Sequence, residues 1–295
     1  MPMPLSAPVR ALRRLIAALC LIAPTMAQAE GCGDAGARCE IADGGYYMML
    51  PDGPGPHPAV MFLHGHGGSG RDAIGNAARL GPFTAAGWAV IAPDGARWGD
   101  DAGPRSWNAM AGPRGRDDVA FLGAVADDAA ARFGLDRGRI AATGFSAGGM
   151  MVWRLACDAP GAYVAFAPVA GTLWRPIPDH CAGPAPLLHV HGTTDEVVPM
   201  AGRSLGGGRL IQGDVVQALA MLRRTMGCAD RATTGPEVTA DLGASAAWQG
   251  AAWVGCAGRG AITLLTHGGA HMVPPGWAEI ALAFLAAHPG AHPGD

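Results

Sequence analysis

Residues 139–157 read RIAATGFSAGGMMVWRLAC, and this stretch decides the fold. It begins as a short apolar strand, turns at Gly144-Phe145-Ser146-Ala147-Gly148, and continues with a helical apolar pattern from about Ala147 to Ala156. Glycine on both sides of Ser146 relieves the crowding that a tight strand-to-helix turn creates. The pattern therefore predicts a nucleophilic serine at the start of a helix, whose N-terminal amides and dipole favour a developing negative charge.

A second G-x-S-x-G pattern occurs at Gly202-Arg203-Ser204-Leu205-Gly206. No strand pattern precedes it, and the surrounding residues GRSLGGGRL are rich in glycine. The motif exposes a nucleophilic serine only where it forms a sharp turn between a strand and a helix. We therefore interpret Ser204 as a loop residue and Ser146 as the nucleophile.

Short apolar runs alternate with helical patterns on both sides of this turn. Such alternation predicts an α/β domain with a mostly parallel sheet and helices on both faces, and we expect one catalytic domain over residues 30–295. The strand candidates are residues 59–64, 88–92, 139–143, 163–167, 187–191 and 261–266, and the helix candidates are residues 118–133, 147–156 and 277–287.

The glycine-rich stretch His64-Gly65-His66-Gly67-Gly68 directly follows the first core strand candidate. An oxyanion hole needs one backbone amide from the residue after the nucleophile, here Ala147, and a second from the loop after that strand. We predict that His66 supplies the second amide, with Gly67 as the alternative.

The partners of the serine follow in the chain order Ser, Asp, His that this kind of fold uses. Asp195 lies just past the strand candidate 187–191, and His271 follows the strand candidate 261–266. Glu196 and Asp94 are the rival carboxylates, and we interpret both as loop or capping residues. His267 lies at the end of its strand, too early for the role of base.

Two H-x-H pairs, His64 with His66 and His189 with His191, raise the alternative of a metal site. Residues i and i+2 of a strand share a face and can hold a metal ion together. We instead interpret them as histidines at strand ends that bond the backbone, and we expect neither a metal nor another cofactor.

The charge composition excludes several function classes. The net charge is −3, which argues against a nucleic-acid partner. All 21 basic residues are arginine, so no lysine can supply a Schiff base, a phosphate-loop cation or a Ser-Lys dyad.

The first 29 residues have the pattern of a secretory signal peptide. Arg10, Arg13 and Arg14 precede a short apolar run at residues 15–23, and Ala27-Gln28-Ala29 is a small-residue cleavage site. The run is too short to span a bilayer. We therefore expect a secreted protein, extracellular or periplasmic, that does not span the membrane.

Six cysteines remain after the expected cleavage, an even number typical of disulfides in exported chains. Six cysteines allow 15 pairings. We predict that neighbours along the chain pair, which gives the bonds Cys32–Cys39, Cys157–Cys181 and Cys228–Cys256.

These motifs resemble those of a family of secreted esterases that includes short polyhydroxybutyrate depolymerases and feruloyl or acetyl-xylan esterases. The resemblance implies an α/β-hydrolase fold with an eight-stranded sheet and a triad of Ser146, Asp195 and His271. The matching stretches are HGHGGSGRD (64–72), PDG (93–95), SWN (106–108), DDVAFL (117–122), GFSAGGMMVWRLAC (144–157), APVAG (167–171), HGTTDEVVP (191–199) and GGAH (268–271).

Residues 168–186, between two late strand candidates, leave no room for a large cap domain. We therefore expect an open, shallow cleft and a preference for short acyl or aromatic esters, on a substrate that can be polymeric. Trp107, Trp174 and Trp277 are candidates for flat apolar surface that contacts it. Ester hydrolysis is the leading hypothesis, and acyl transfer on the same triad and a non-catalytic binding module are the alternatives.

Overall fold

The computed structural model describes residues 32–33, 36–99, 101–110, 112, 115–235, 248–258 and 260–289. Residues 31–295 form one compact unit. The predicted signal peptide lies outside the described residues and stays a prediction. No helix within the described ranges is long and apolar enough to cross a membrane.

Strands and helices alternate along most of the chain. The strands are β1 (Cys39–Ile41), β2 (Gly44–Met49), β3 (His57–Leu63), β4 (Ala89–Pro93), β5 (Ala96–Arg97), β6 (Arg105–Ser106), β7 (Leu135–Phe145), β8 (Phe166–Val169), β9 (Leu187–Gly192), β10 (Ser204–Leu205), β11 (Leu210–Ile211), β12 (Thr233–Thr234), β13 (Gln249–Trp253) and β14 (Ile262–His267). The helices are α1 (Gly70–Ile74), α2 (Ala77–Ala85), α3 (Asp118–Phe133), α4 (Ala147–Asp158), α5 (Val215–Met226) and α6 (Trp277–Ala286).

Within the described residues, the main sheet has ten strands in the order β1-β2-β4-β3-β7-β8-β9-β14-β13-β12. The strands from β4 to β14 in this order are parallel, and antiparallel strands flank them on both sides. The expected α/β-hydrolase-like sheet is confirmed, but its expected size of eight strands is wrong. The additional strands β13 and β12 extend the edge beyond β14, where small residues such as Gly250 and Ala251 carry little apolar signal.

Side chains of the central strands alternate between two apolar layers, as the two-residue period of a strand requires. In β3, Met61 and Leu63 belong to the layer beneath α3, α4 and α5, whereas Val60 and Phe62 belong to the layer beneath α1, α2 and α6. The sheet is therefore covered on both faces, and the loops at its carboxyl edge remain free to build a site.

Three disulfides join Cys32 to Cys39, Cys157 to Cys181 and Cys228 to Cys256, which is the neighbour pairing expected from the sequence. The first involves β1 at one edge of the sheet. The second joins the last turn of α4 to the segment before β9. The third joins the end of α5 to the chain just after β13.

Candidate active site

Ser146 occupies a strained turn between β7 and α4. Its φ is +57° and its ψ is −118°, a left-handed backbone that a non-glycine residue adopts only when its surroundings enforce it. The amide of Ser146 donates to the carbonyl of Val169 at 3.0 Å, and glycine is required on both sides. A Cβ at Gly148 would lie 2.0 Å from the Leu63 carbonyl oxygen, and one at Gly144 would lie 2.7 Å from the backbone of Gly148.

Ser146, His271 and Asp195 are connected by two short hydrogen bonds. The Ser146 hydroxyl lies 2.9 Å from His271 Nε2, and His271 Nδ1 lies 2.7 Å from Asp195 Oδ2. Because a carboxylate only accepts, Nδ1 carries the proton that it donates, and Nε2 of the neutral ring accepts from the hydroxyl. The other oxygen of Asp195 accepts from the amides of Val197 and Val198, each at 2.8 Å, so the carboxylate is held on both sides.

Ser146 and His271 are 125 positions apart in the chain, and Asp195 and His271 are 76 positions apart. The sheet order explains why these residues meet. Asp195 and His271 follow the carboxyl ends of the adjacent parallel strands β9 and β14, and Ser146 follows β7 two strands away. The two outer loops touch closely, since a Cβ at Gly192 would lie 2.3 Å from the Gly269 carbonyl oxygen. The ring of Phe145 packs 4.7 Å from the imidazole of His271.

Both predicted oxyanion residues, His66 and Ala147, line one cavity together with Ser146. The alternative residue Gly67 is already engaged, because its amide donates to the Arg105 carbonyl at 2.8 Å. The amide of His66 has no such partner within the described part of the chain. The geometry therefore favours His66 over Gly67.

The rival residues lie in other surroundings. Asp94 is buried and accepts from Arg38 at 3.0 Å and from the amide of Gly70 at 2.9 Å, so it is a structural carboxylate. Glu196 and Ser204 are exposed. His267 is buried and accepts from the amide of Gly269 through Nδ1, and its burial lowers its pKa.

His64 is a structural histidine. Its Nε2 accepts from the amide of Gly95 at 2.9 Å, so the proton is on Nδ1, which donates to the Gly65 carbonyl at 2.8 Å. Burial lowers the pKa of His64, which is consistent with a neutral ring. Both nitrogens are engaged, and neither is free to share a metal ion with His66.

His189 and His191 form a buried relay in which the protons have one consistent arrangement. His191 Nε2 donates to the Val198 carbonyl at 2.7 Å, and its Nδ1 therefore accepts from His189 Nε2 at 2.9 Å. His189 Nδ1 in turn accepts from Trp153 Nε1 at 3.2 Å. Burial is the main cause that lowers the pKa of both histidines. The relay ends at the turn that holds Asp195.

A cavity of about 300 Å³ opens beside Ser146. Trp107 and Trp174 line it, as expected, and Trp98 is an additional indole in its wall. Trp277 is a correction: it is buried at 1 % exposure and packs against Phe62 and Phe83 on the opposite face of the sheet. Its apolar ring fills the core and cannot contact a substrate at Ser146.

Two small hairpins also wall this cavity, and no pattern in the sequence predicts either of them. They are β5–β6, which contributes Ser106, and β10–β11, which contributes Leu205 and Leu210. No cap lies between β8 and β9, as expected, but the cleft is a walled cavity and not the shallow surface that we predicted. Strands of two residues among glycines have no periodicity that a sequence pattern could show.

Residues 45–206 match the model of the Dienelactone hydrolase family. The matched stretch includes Ser146 and Asp195 and ends before His271. The chain is 34% identical over 156 residues to the putative esterase NocK of Nocardia uniformis subsp. tsuyamanensis, which covers 52% of this chain and 44% of that protein.

The chain is also 30% identical over 171 residues to feruloyl esterase C of Emericella nidulans, with coverage of 53% of this chain and 57% of that one. It thus spans about half the length of these curated relatives. Among solved structures, an acetyl xylan esterase from Aspergillus awamori superposes with a TM-score of 0.56 at 14% identity, covering 83% of this chain and 94% of that one. This likeness supports the fold.

Proposed function

Because the chain belongs to the dienelactone hydrolase family, we propose that it is a secreted serine esterase that cleaves carboxylic esters through an acyl-enzyme. The observation that carries the proposal is the continuous contact from Ser146 through His271 to Asp195, with distances of 2.9 and 2.7 Å. This arrangement is the one that nucleophilic acyl transfer requires.

In the first half-reaction, Ser146 Oγ attacks the ester carbonyl carbon while His271 Nε2 takes the hydroxyl proton. Asp195 orients the imidazole and stabilises it while it is charged. The amides of His66 and Ala147 donate to the oxyanion of the tetrahedral intermediate, aided by the N-terminus of α4. Collapse expels the alcohol, which takes the proton from His271. Water then attacks the acyl-enzyme by the same steps and releases the acid.

The cavity supports a short or aromatic acyl group. Its volume of about 300 Å³ is at the lower end of the range for small-molecule sites. Its walls are mostly apolar and include three indole rings, which favour flat rings over long flexible chains. The proposed substrates are therefore feruloyl or acetyl esters of polysaccharide, or short hydroxyalkanoate oligomers and polymers.

The three disulfides and the leader-like first 29 residues support secretion.

The experiment compares two serines that share the G-x-S-x-G pattern. We expect Ser146→Ala to lower kcat/KM for aryl esters by about four orders of magnitude or more, as loss of a triad nucleophile typically does. Ser204→Ala is the matched control, because Ser204 is exposed on β10 and is not among the cavity-lining residues. A serine-directed phosphonate should label the wild-type protein and the control only. Equal losses in both variants, or labelling of Ser146→Ala, would contradict the proposal.

A further inference from the structure

The loop after β3, which carries the amide of His66, is held at two points by one short segment. The indole Nε1 of Trp107 donates to the His64 carbonyl at 2.8 Å, and the Arg105 carbonyl accepts from the amide of Gly67 at 2.8 Å. These bonds lie on either side of His66. Within the loop, the carbonyl of the Gly65–His66 peptide accepts from His64 Nδ1 at 2.8 Å and from the Gly68 amide at 3.1 Å. The segment 105–107 fixes, from outside the loop, the residues on both sides of this peptide.

The segment that holds the loop is itself fixed to the end of β4. The guanidinium of Arg105 donates to the Gly95 carbonyl at 3.0 Å and lies 3.5 Å from the buried carboxylate of Asp94. The indole of Trp107 is 3 % exposed, and its ring lies 4.9 Å from the imidazole of His64. The Trp107 donor is thus rigid and shielded from water, the conditions under which one hydrogen bond positions its acceptor well.

We propose that Trp107 is a positioning residue whose indole N–H holds the oxyanion loop, so that the His66 amide is directed to the oxygen that becomes charged. The inference rests on the proposed function, since it concerns the same oxyanion. It gives Trp107 a role beyond that of apolar cavity wall. The two roles involve different parts of the side chain, the N–H group and the ring, and substitution can separate them.

Trp107→Phe keeps an aromatic wall and removes the donor. We expect kcat for a short aryl ester to fall about tenfold with KM changed by less than about twofold, because the lost stabilisation is specific to the transition state. Removing an oxyanion donor outright costs about 100- to 1,000-fold, and loosening its loop should cost less. The affinity for a boronic acid, which places an oxygen in the oxyanion hole, should weaken by the same factor as kcat/KM.

Trp277→Phe is the matched control. Its indole N–H is buried without a partner among the described residues, and the ring lies on the opposite face of the sheet. This variant should keep wild-type kcat, KM and boronic acid affinity. Titration with a phosphonate normalises every rate to the concentration of competent sites. If Trp107→Phe does not fold, benzothienylalanine at position 107 replaces only the N–H by sulfur and is expected to give the same loss.

Two outcomes would overturn the inference: a rise in KM with unchanged kcat and boronic acid affinity, or an equal loss in Trp277→Phe. The first would make Trp107 a substrate wall only, and the second would indicate general destabilisation. Failure of the proposed function has a different signature, because the wild-type protein itself would then neither hydrolyse esters nor bind the boronic acid.

Discussion

His191 couples the candidate site to the core through a single side chain. Its Nε2 donates to the carbonyl of Val198, whose amide donates to Asp195, and the same nitrogen lies 3.6 Å from the Asp195 carboxylate. Protonation of His191 would place an N–H on its Nδ1, which faces the Nε2–H of His189. Protonation of His189 would place an N–H on its Nδ1, which faces the indole N–H of Trp153. The folded relay therefore requires two neutral rings, which agrees with the lowered pKa that burial gives both.

We predict that this relay makes the fold sensitive to acid. A histidine whose pKa is lower in the folded state binds its proton more readily in the unfolded chain, where the pKa is about 6.5. The free energy of unfolding should thus be largest above about pH 6.5 and fall as the pH drops below it. Urea denaturation midpoints between pH 8 and pH 5 measure this.

Removing one titrating ring tests the assignment. His189→Gln should flatten the dependence of the urea midpoint on pH, even if the midpoint at pH 8 is lower. His180→Gln, at an exposed position, should retain the wild-type dependence. Unchanged pH dependence in His189→Gln would show that other groups cause the acid sensitivity, and the buried His64 and His267 are the next to substitute.

At the scale of elements, α4 is fixed at both ends by different means. Its first turn packs against β3 through Gly148, and its last turn is joined to the segment before β9 by the Cys157–Cys181 disulfide. Backbone bonds reinforce the second attachment, since Ala182 donates to the Cys157 carbonyl at 2.8 Å. The N-terminal end should therefore keep its geometry when the disulfide is removed.

We predict that replacing Cys157 and Cys181 by alanine lowers the free energy of unfolding by about 3 kcal/mol, because the reduced unfolded chain gains loop entropy. This bond spans 24 residues, whereas Cys32–Cys39 spans 7, so removal of the shorter link should cost roughly 1 kcal/mol less. Urea unfolding of both double variants measures the difference. A loss of kcat per phosphonate-titrated site in the Cys157/Cys181 variant would contradict the independence of the two helix ends.

At the scale of the whole molecule, the cavity is assembled from parts that lie far apart in the chain. Hairpin β5–β6 follows β4, hairpin β10–β11 follows β9, and α4 supplies Met150. These parts meet because all of them leave the same edge of the sheet. The size of the cavity is therefore limited by loops and not by a cap domain.

We predict that kcat/KM for p-nitrophenyl esters is highest for short acyl chains and declines toward dodecanoyl. Each methylene that the cavity cannot bury gains none of the about 0.8 kcal/mol that burial would give, and a chain longer than the cavity must also bend against its walls. Replacing Leu205 and Leu210 by alanine makes the cavity wider on the side of hairpin β10–β11. The acyl chain length with the highest kcat/KM should then shift to longer chains. A steady rise toward long chains, with activation at a lipid interface, would indicate a lipase instead.

The sequence patterns predicted the central strands and three of the helices, but they missed α2 and α5, the latter a helix of 12 residues. The spacing of apolar residues in residues 118–133 matches the bounds of α3, and the turn at Ser146 lies where the motif predicts it. Chain order predicts Asp195 and His271, and the structure brings both to the serine. The role of Trp277 was wrong because an apolar ring beside a site motif and one in the core look alike in sequence. Its burial depends on Phe62 and Phe83, which are distant in the chain.

The disulfides near the two edges of the ten-stranded sheet have a consequence for self-association. An edge strand offers unpaired backbone groups to any neighbouring chain. Proteins commonly limit such pairing by keeping their edge strands short and firmly held. Among the described residues the outermost strands, β1 and β12, are only two or three residues long, with Cys32–Cys39 at β1 and Cys228–Cys256 beside β13. Reduction would remove the covalent support at both edges and leave only hydrogen bonds to hold them. In a thiol-rich compartment we therefore expect this chain to lose colloidal solubility.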